Sequence, residues 1–139
     1  MTLKELVEFK KQVARETAIS PENAQEMSLK ILNIRMRYLD IYSEEKQKLK
    51  AIEVQMIRMY NALFKKYRYE NNQYKTETIK EVESFVRDDD DYYNLTVKYE
   101  IQTVVVEYLK DVCSGIEKYG YLIKNYLDFQ MLKTGNVPK

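Results

Sequence analysis

The chain has 139 residues, 45% hydrophobic and 32% charged, with 3 Gly, 2 Pro, 1 Cys, no His and a formal net charge of +1. This length fits one domain, residues 1–139, and the scarcity of Gly and Pro argues against an all-β chain with many tight turns, so the expected class is all-α. One cysteine and no histidine exclude a disulfide framework, a zinc site and any Ser-His or Cys-His catalytic pair; no enzyme, metal or cofactor is expected.

At the N-terminus, Met1-Thr2-Leu3-Lys4-Glu5 mixes charge with leucine and has no apolar signal region. No apolar run approaches the ~18–20 residues of a membrane span, and the lone Cys113 fits a reducing cytoplasm. Thr2 and Glu5 have capping-box spacing and predict a short helix through about residue 16, with Leu3, Leu6, Val7, Val13 and Ala14 as its apolar stripe. Ser20-Pro21-Glu22 is a second start signal: a cap residue, a proline at the first helical position and an acid in the first turn. Beyond it no Gly or Pro occurs until Gly115. Ala24, Met27, Ile31, Ile34, Tyr38 and Ile41 keep 3-4 spacing, and the seam passes on through Tyr42, Leu49, Ile52, Met56, Met59 and Leu63. The spacing predicts one helix over about 21–69, roughly 70 Å at ~1.5 Å rise per residue. That length suits either a helix broken near Glu44-Glu45 or one covered by partner chains.

Glu70-Asn71-Asn72-Gln73 reads as a loop, followed by a shorter helix through Ile79, Val82 and Phe85. After Asp88-Asp89-Asp90-Asp91, two patterns compete. Leu95, Val97, Tyr99 and Ile101 alternate as an edge strand would. Tyr99, Gln102, Val106, Leu109, Cys113, Ile116, Gly120 and Ile123 keep helical spacing for longer, so helices over about 92–134 are favoured. A break at Gly120 is expected, with Tyr121 to Lys133 as a last helix closed by Thr134-Gly135. Cys113-Ser114-Gly115 reads as a place where helices pack closely, and the four aspartates as a solvated or helix-capping cluster without the ligand spacing of a calcium loop.

Charge is segregated. Residues 46–75 carry eight basic residues against Glu53 and Glu70, and residues 76–91 carry seven acids against Lys80 and Arg87. Within the basic stretch, Arg58, Tyr60, Lys65, Lys66, Tyr67, Arg68, Tyr69 and Lys75 interleave cations with tyrosines. Cations track phosphates and aromatic faces stack on unpaired bases, so these eight residues are the candidate single-stranded-DNA site, with Lys46, Lys48 and Lys50 as an extension. The competing reading is a solvated helix face whose tyrosines cap a core.

Lys98-Tyr99-Glu100, Leu109-Lys110-Asp111-Val112-Cys113-Ser114-Gly115, Gly120-Tyr121-Leu122-Ile123-Lys124, Asp128 and Lys133-Thr134-Gly135 resemble, in that order, the end of the UvsY family of recombination mediators of large tailed phages. Leu49-Lys50-Ala51-Ile52-Glu53-Val54-Gln55 is similar to its central helix, and Thr2-Leu3-Lys4-Glu5-Leu6 to its start. The resemblance implies long amphipathic helices assembling into a homo-oligomeric ring of six or seven chains in the host cell cytoplasm. It implies single-stranded DNA, a RecA-like phage recombinase and a phage single-strand binding protein as partners. The mediator helps the recombinase load onto strands coated by the binding protein, without hydrolysing ATP, in recombination, repair and recombination-dependent replication. One departure stands out: the family's basic-Ala-basic triplet falls on Asn61-Ala62-Leu63, so both charges are missing. The alternative function is a structural coiled-coil scaffold that does not touch DNA.

Overall fold

A computed structural model describes residues 1–70 and 78–135. The described residues form helices and turns with no strand: α1 (Leu3–Glu16), α2 (Ala24–Lys65), a π-helical segment (Lys66–Glu70), α3 (Ile79–Asp88) and α4 (Asp90–Lys133). Residues 92–103 are therefore helical. Thr96 and Thr103 donate their hydroxyls to the carbonyls of Tyr92 and Tyr99, four residues back, as threonine does on a helix. The expected loop around residues 71–73 lies outside the described residues.

Local chemistry explains the ends of each element. Thr2 Oγ1 accepts from the Glu5 amide at 3.1 Å, and the Glu5 carboxylate accepts from the Thr2 amide at 2.9 Å, closing the box that opens α1. The helix ends at Thr17, whose amide and hydroxyl both donate to the Val13 carbonyl. The second helix begins at Ala24, three residues beyond the proline signal. The Ser20 amide donates to Asn23 Oδ1 at 2.8 Å, and the Asn23 carbonyl accepts the first helical bond, from Met27. Asn23 thus precedes the helix in the place expected of Ser20, and its side chain braces the preceding turn through Ser20 and Ala18.

Thr78 and Glu81 form a second capping box, at the head of α3. Asp89 ends that helix and starts the next: its Oδ1 accepts from the amides of Asp91 at 3.0 Å and Tyr92 at 3.2 Å. The acidic run is thus a capping cluster. α4 continues without a break to Lys133, and Gly135, at φ +81°, follows it in the left-handed conformation that glycine tolerates best. The expected break at Gly120 does not occur, because the seam on either side of it stays in register with one buried face. Nor does Gly115 mark a close approach, since a Cβ built on either glycine meets nothing within 4 Å.

Packing separates the chain into two compact units, Met1–Glu44 with Val105–Lys139, and Glu45–Val104. The first buries Leu6, Val13, Tyr38, Val105, Leu109, Cys113 and Ile116, around which Phe9, Ile41 and Tyr42 pack. Phe9 meets Tyr38 edge-on, with centroids 5.6 Å apart. It supplies apolar area that Leu3 and Val7, both exposed, do not. The buried Tyr38 hydroxyl donates to the Glu16 carboxylate, which Arg37 also pairs. Burial, and then that carboxylate, push the Tyr38 phenol far above its ordinary value of 10.0.

The second unit buries Ile52, Val82 and Val86 together with two polar side chains, Glu45 and Gln102. Gln102 Nε2 donates to the Glu45 carbonyl at 2.8 Å and to its carboxylate at 2.7 Å, and Lys48 pairs the same carboxylate at 3.0 Å. Burial opposes ionisation of Glu45, but these bonds outweigh it and hold the carboxyl below its ordinary range. A polar residue can therefore sit on the apolar seam because its donors are satisfied.

Candidate nucleic-acid interface

The candidate residues fall in the second unit. Arg58, Tyr60 and Lys65 lie on α2, while Lys66, Tyr67, Arg68 and Tyr69 lie on the π-helical segment. Lys75 lies outside the described residues. Arg58 and Lys65 are seven residues apart on one helix and share a face with Asn61 between them. All three are exposed. The wider turn of the π segment re-aims the residues after Lys65, so that α-helical phase no longer predicts where they point.

The segment's aromatic residues divide into two sets. Tyr69 is 71% exposed. The Arg68 guanidinium lies 5.6 Å from its ring centroid and 5.9 Å from that of Phe64, and so is both positioned and left partly open to solvent. Tyr67, by contrast, is tied into the fold. Its hydroxyl donates to Asp89 Oδ2 at 2.7 Å, and its ring packs 6.0 Å from Phe85. That hydroxyl, against partial burial and with help from the Asp91 and Tyr92 amides, holds the Asp89 carboxyl below its ordinary value. Lys66 is exposed, with its ammonium 5.5 Å from the Tyr67 ring centroid.

Tyr60 is half-buried, stacked on Phe64 with centroids 6.2 Å apart and edge-on to Tyr92 at 6.0 Å. It borders a groove of about 430 Å³. From α2 come Glu53, Met56, Ile57, Tyr60 and Asn61; from α4 come Tyr92 and Tyr99. The Tyr99 hydroxyl donates to Glu53 at 3.4 Å, and Lys50 pairs that carboxylate at 3.4 Å. Of Lys46, Lys48 and Lys50, the expected extension of the basic track, the last two are thus each held by a carboxylate one turn away. Tyr92 and Tyr99 were absent from the sequence-derived site. They are seven residues apart, a spacing that places them on one helix face only once residues 92–103 are helical.

Arg58, Lys65, Lys66 and Arg68 surround the Asn61-Ala62-Leu63 triplet, in which Asn61 and Ala62 are exposed and Leu63 is half-buried. The family described as "Recombination, repair and ssDNA binding protein UvsY" matches residues 12–136. The chain belongs to the UvsY family. Its fold agrees with three crystal structures of the bacteriophage T4 recombination mediator protein UvsY, from different lattices. The TM-scores are 0.82, 0.81 and 0.80, with identities of 16%, 15% and 14%. The matches cover 96%, 96% and 91% of this chain and 99%, 98% and 98% of the T4 chains. No curated protein matches the chain. At these identities the T4 structures establish a shared UvsY fold, and the family match places the chain among recombination, repair and single-stranded-DNA-binding proteins.

Among the described residues, no helix is long and apolar enough to cross a membrane. No group of three or more His, Cys, Asp and Glu side chains is placed to hold a metal ion.

Proposed function

We propose that this chain is a recombination mediator of a phage-infected host cytoplasm, binding single-stranded DNA through Arg58, Tyr60, Lys65, Lys66, Tyr67, Arg68, Tyr69 and Lys75. It helps a RecA-like recombinase load onto strands coated by a single-strand binding protein. The observation that carries this reading is the UvsY family match across residues 12–136, joined to exposed cations beside aromatic rings at the end of α2. Lysine and arginine release counterions from phosphates, and the rings present faces to unpaired bases. The charges of the family's triplet are redistributed to Arg58 on one side and to Lys65, Lys66 and Arg68 on the other. Tyr67, with its hydroxyl bonded to Asp89, acts by holding the segment in place.

Assembly into a closed ring is part of the proposal. Leu29, Leu32, Met36 and Leu39 form a second apolar stripe on α2, at 3-4-3 spacing, and all four are exposed. An exposed heptad stripe is what a helix presents to a neighbouring chain. Native mass spectrometry should show an assembly above dimer.

Binding to a short single-stranded oligonucleotide across a salt series tests the DNA contact. Lys65→Ala with Lys66→Ala should weaken binding and lower the log-log salt slope by about 1.4, at about 0.7 per phosphate contact. The oligomer should be unchanged. Wild-type affinity and slope in that variant would remove these lysines from the site. No binding to the oligonucleotide even at low salt would favour the coiled-coil scaffold reading.

A further inference from the structure

The groove that Tyr60 and Tyr92 line together has a composition that phosphate contact alone does not call for. Its walls are mainly aromatic and aliphatic, with Asn61 and one carboxylate, Glu53, which Tyr99 and Lys50 engage, and its volume of about 430 Å³ lies in the ~300–1,000 Å³ range of small-ligand sites. Tyr60 is braced by Phe64 and by Tyr92, and Tyr99 is held by its bond to Glu53. Fixed rings lose little freedom when a flat ligand settles against them. Asn61, exposed at the groove, carries a carboxamide with a donor and an acceptor side by side, the arrangement that pairs with the edge of a base. Cations flank it: Arg58 three residues before and Lys65 four residues after, on the same helical face. An aliphatic side chain from another protein would satisfy the apolar walls but leave the amide and the two cations without a role. A planar, hydrogen-bonding ring attached to a phosphate backbone uses all three.

We infer that the groove receives one unpaired nucleobase of a bound strand, its ring against Tyr60 and Tyr92 and its edge at Asn61, while Arg58 and Lys65 hold the backbone on either side. This inference rests on the DNA-binding reading above. It adds to that reading a base-contacting site built from α4 as well as α2. The base is contacted mainly by stacking, so one groove per chain leaves overall sequence preference small.

The full-length protein is titrated with a short oligodeoxyadenylate and with a strand of equal length and charge whose residues are abasic. The abasic strand should bind more weakly with the same salt slope, because no phosphate contact is lost. Tyr92→Ala should weaken binding of the oligodeoxyadenylate by roughly 5- to 150-fold, the equivalent of ~1–3 kcal/mol of stacking, and leave the abasic strand unaffected. Asn61→Ala, at an exposed position, should show the same selectivity with a smaller loss, and it keeps the test open if Tyr92→Ala does not fold. If the wild-type protein binds neither strand, the DNA-binding reading falls and takes the groove with it. If it binds both strands equally, or if both variants weaken the two strands alike, the groove holds no base and the DNA-binding reading survives. A change in native mass on Tyr92→Ala without base-selective loss would assign the groove to a second copy of the chain and overturn the inference.

Discussion

Asp89 joins three elements of the second unit, and its replacement is expected to cost far more than an exposed aspartate would. The residue ends α3, caps α4 through the Asp91 and Tyr92 amides, and accepts the Tyr67 hydroxyl at 2.7 Å. Loss of a helix cap costs roughly 0.5–2 kcal/mol. Loss of a tyrosine hydrogen bond costs about 0.5–1.5 kcal/mol more. Asp89→Ala should therefore destabilise the fold by about 1–3.5 kcal/mol, while Asp89→Asn, which keeps a capping oxygen, should cost less than about 1 kcal/mol. Tyr67→Phe should cost about 0.5–1.5 kcal/mol in the wild-type background and close to nothing beside Asp89→Ala, because the partner is already gone. Denaturant unfolding followed by circular dichroism reads each value, with all variants at one protein concentration because assembly stabilises folded chains.

The pH dependence follows from the same contacts. The Tyr67 hydroxyl and the two amides, against partial burial, depress the Asp89 pKa in the folded chain below its ordinary value of 3.8. The resulting stabilisation is complete above that value and is lost as pH falls through the folded pKa. Asp89→Asn should accordingly flatten the acid limb of the stability profile. An Asp89→Ala variant within about 0.3 kcal/mol of wild type would refute this account. So would a Tyr67→Phe cost that is equal in both backgrounds.

Gly115→Ala and Gly120→Ala should each raise stability by about 0.4–1 kcal/mol in thermal unfolding. Both glycines lie inside α4 without positive φ, and an added Cβ meets nothing within 4 Å. A loss at either position would point to a second copy of the chain packed there, as the proposed ring requires. Tyr38 should resist ionisation in a spectrophotometric titration until well above pH 10, and Tyr38→Phe should remove that late step. Because its pKa is raised in the folded chain, its contribution is intact below pH 10 and declines as pH rises beyond it. Gln102→Ala should cost about 1–3 kcal/mol by equilibrium unfolding, since it leaves the buried Glu45 without two of its bonds. A loss below about 0.5 kcal/mol would mean that water or a neighbouring group takes over.

The helical class, the Thr2–Glu5 cap and the close at Gly135 were all legible in the sequence, because each depends on residues within one turn of one another. The two apolar seams were legible for the same reason: periodicity is a local property. Over residues 92–103 the longer helical spacing already favoured helix, and α4 bears it out. Alternation and helical spacing overlap there, and burial of Gln102, Val105, Val106 and Leu109 along one face decides for helix. Gly120 does not end α4, because glycine's lower helix propensity costs only about 1 kcal/mol, which a continuous packed seam overrides.

In the candidate site, the sequence determined which cations and tyrosines lie near one another along the chain. It did not determine their neighbours. Tyr67 is committed to Asp89, twenty-two residues away, and Tyr60 meets Tyr92 across two elements. The π-helical segment, which re-aims Arg68 and Tyr69, has no composition of its own to announce it. Side-chain type and spacing along one helix are written locally. Pairings between residues distant in sequence, and the groove they enclose, exist only once α2 and α4 pack within residues 45–104.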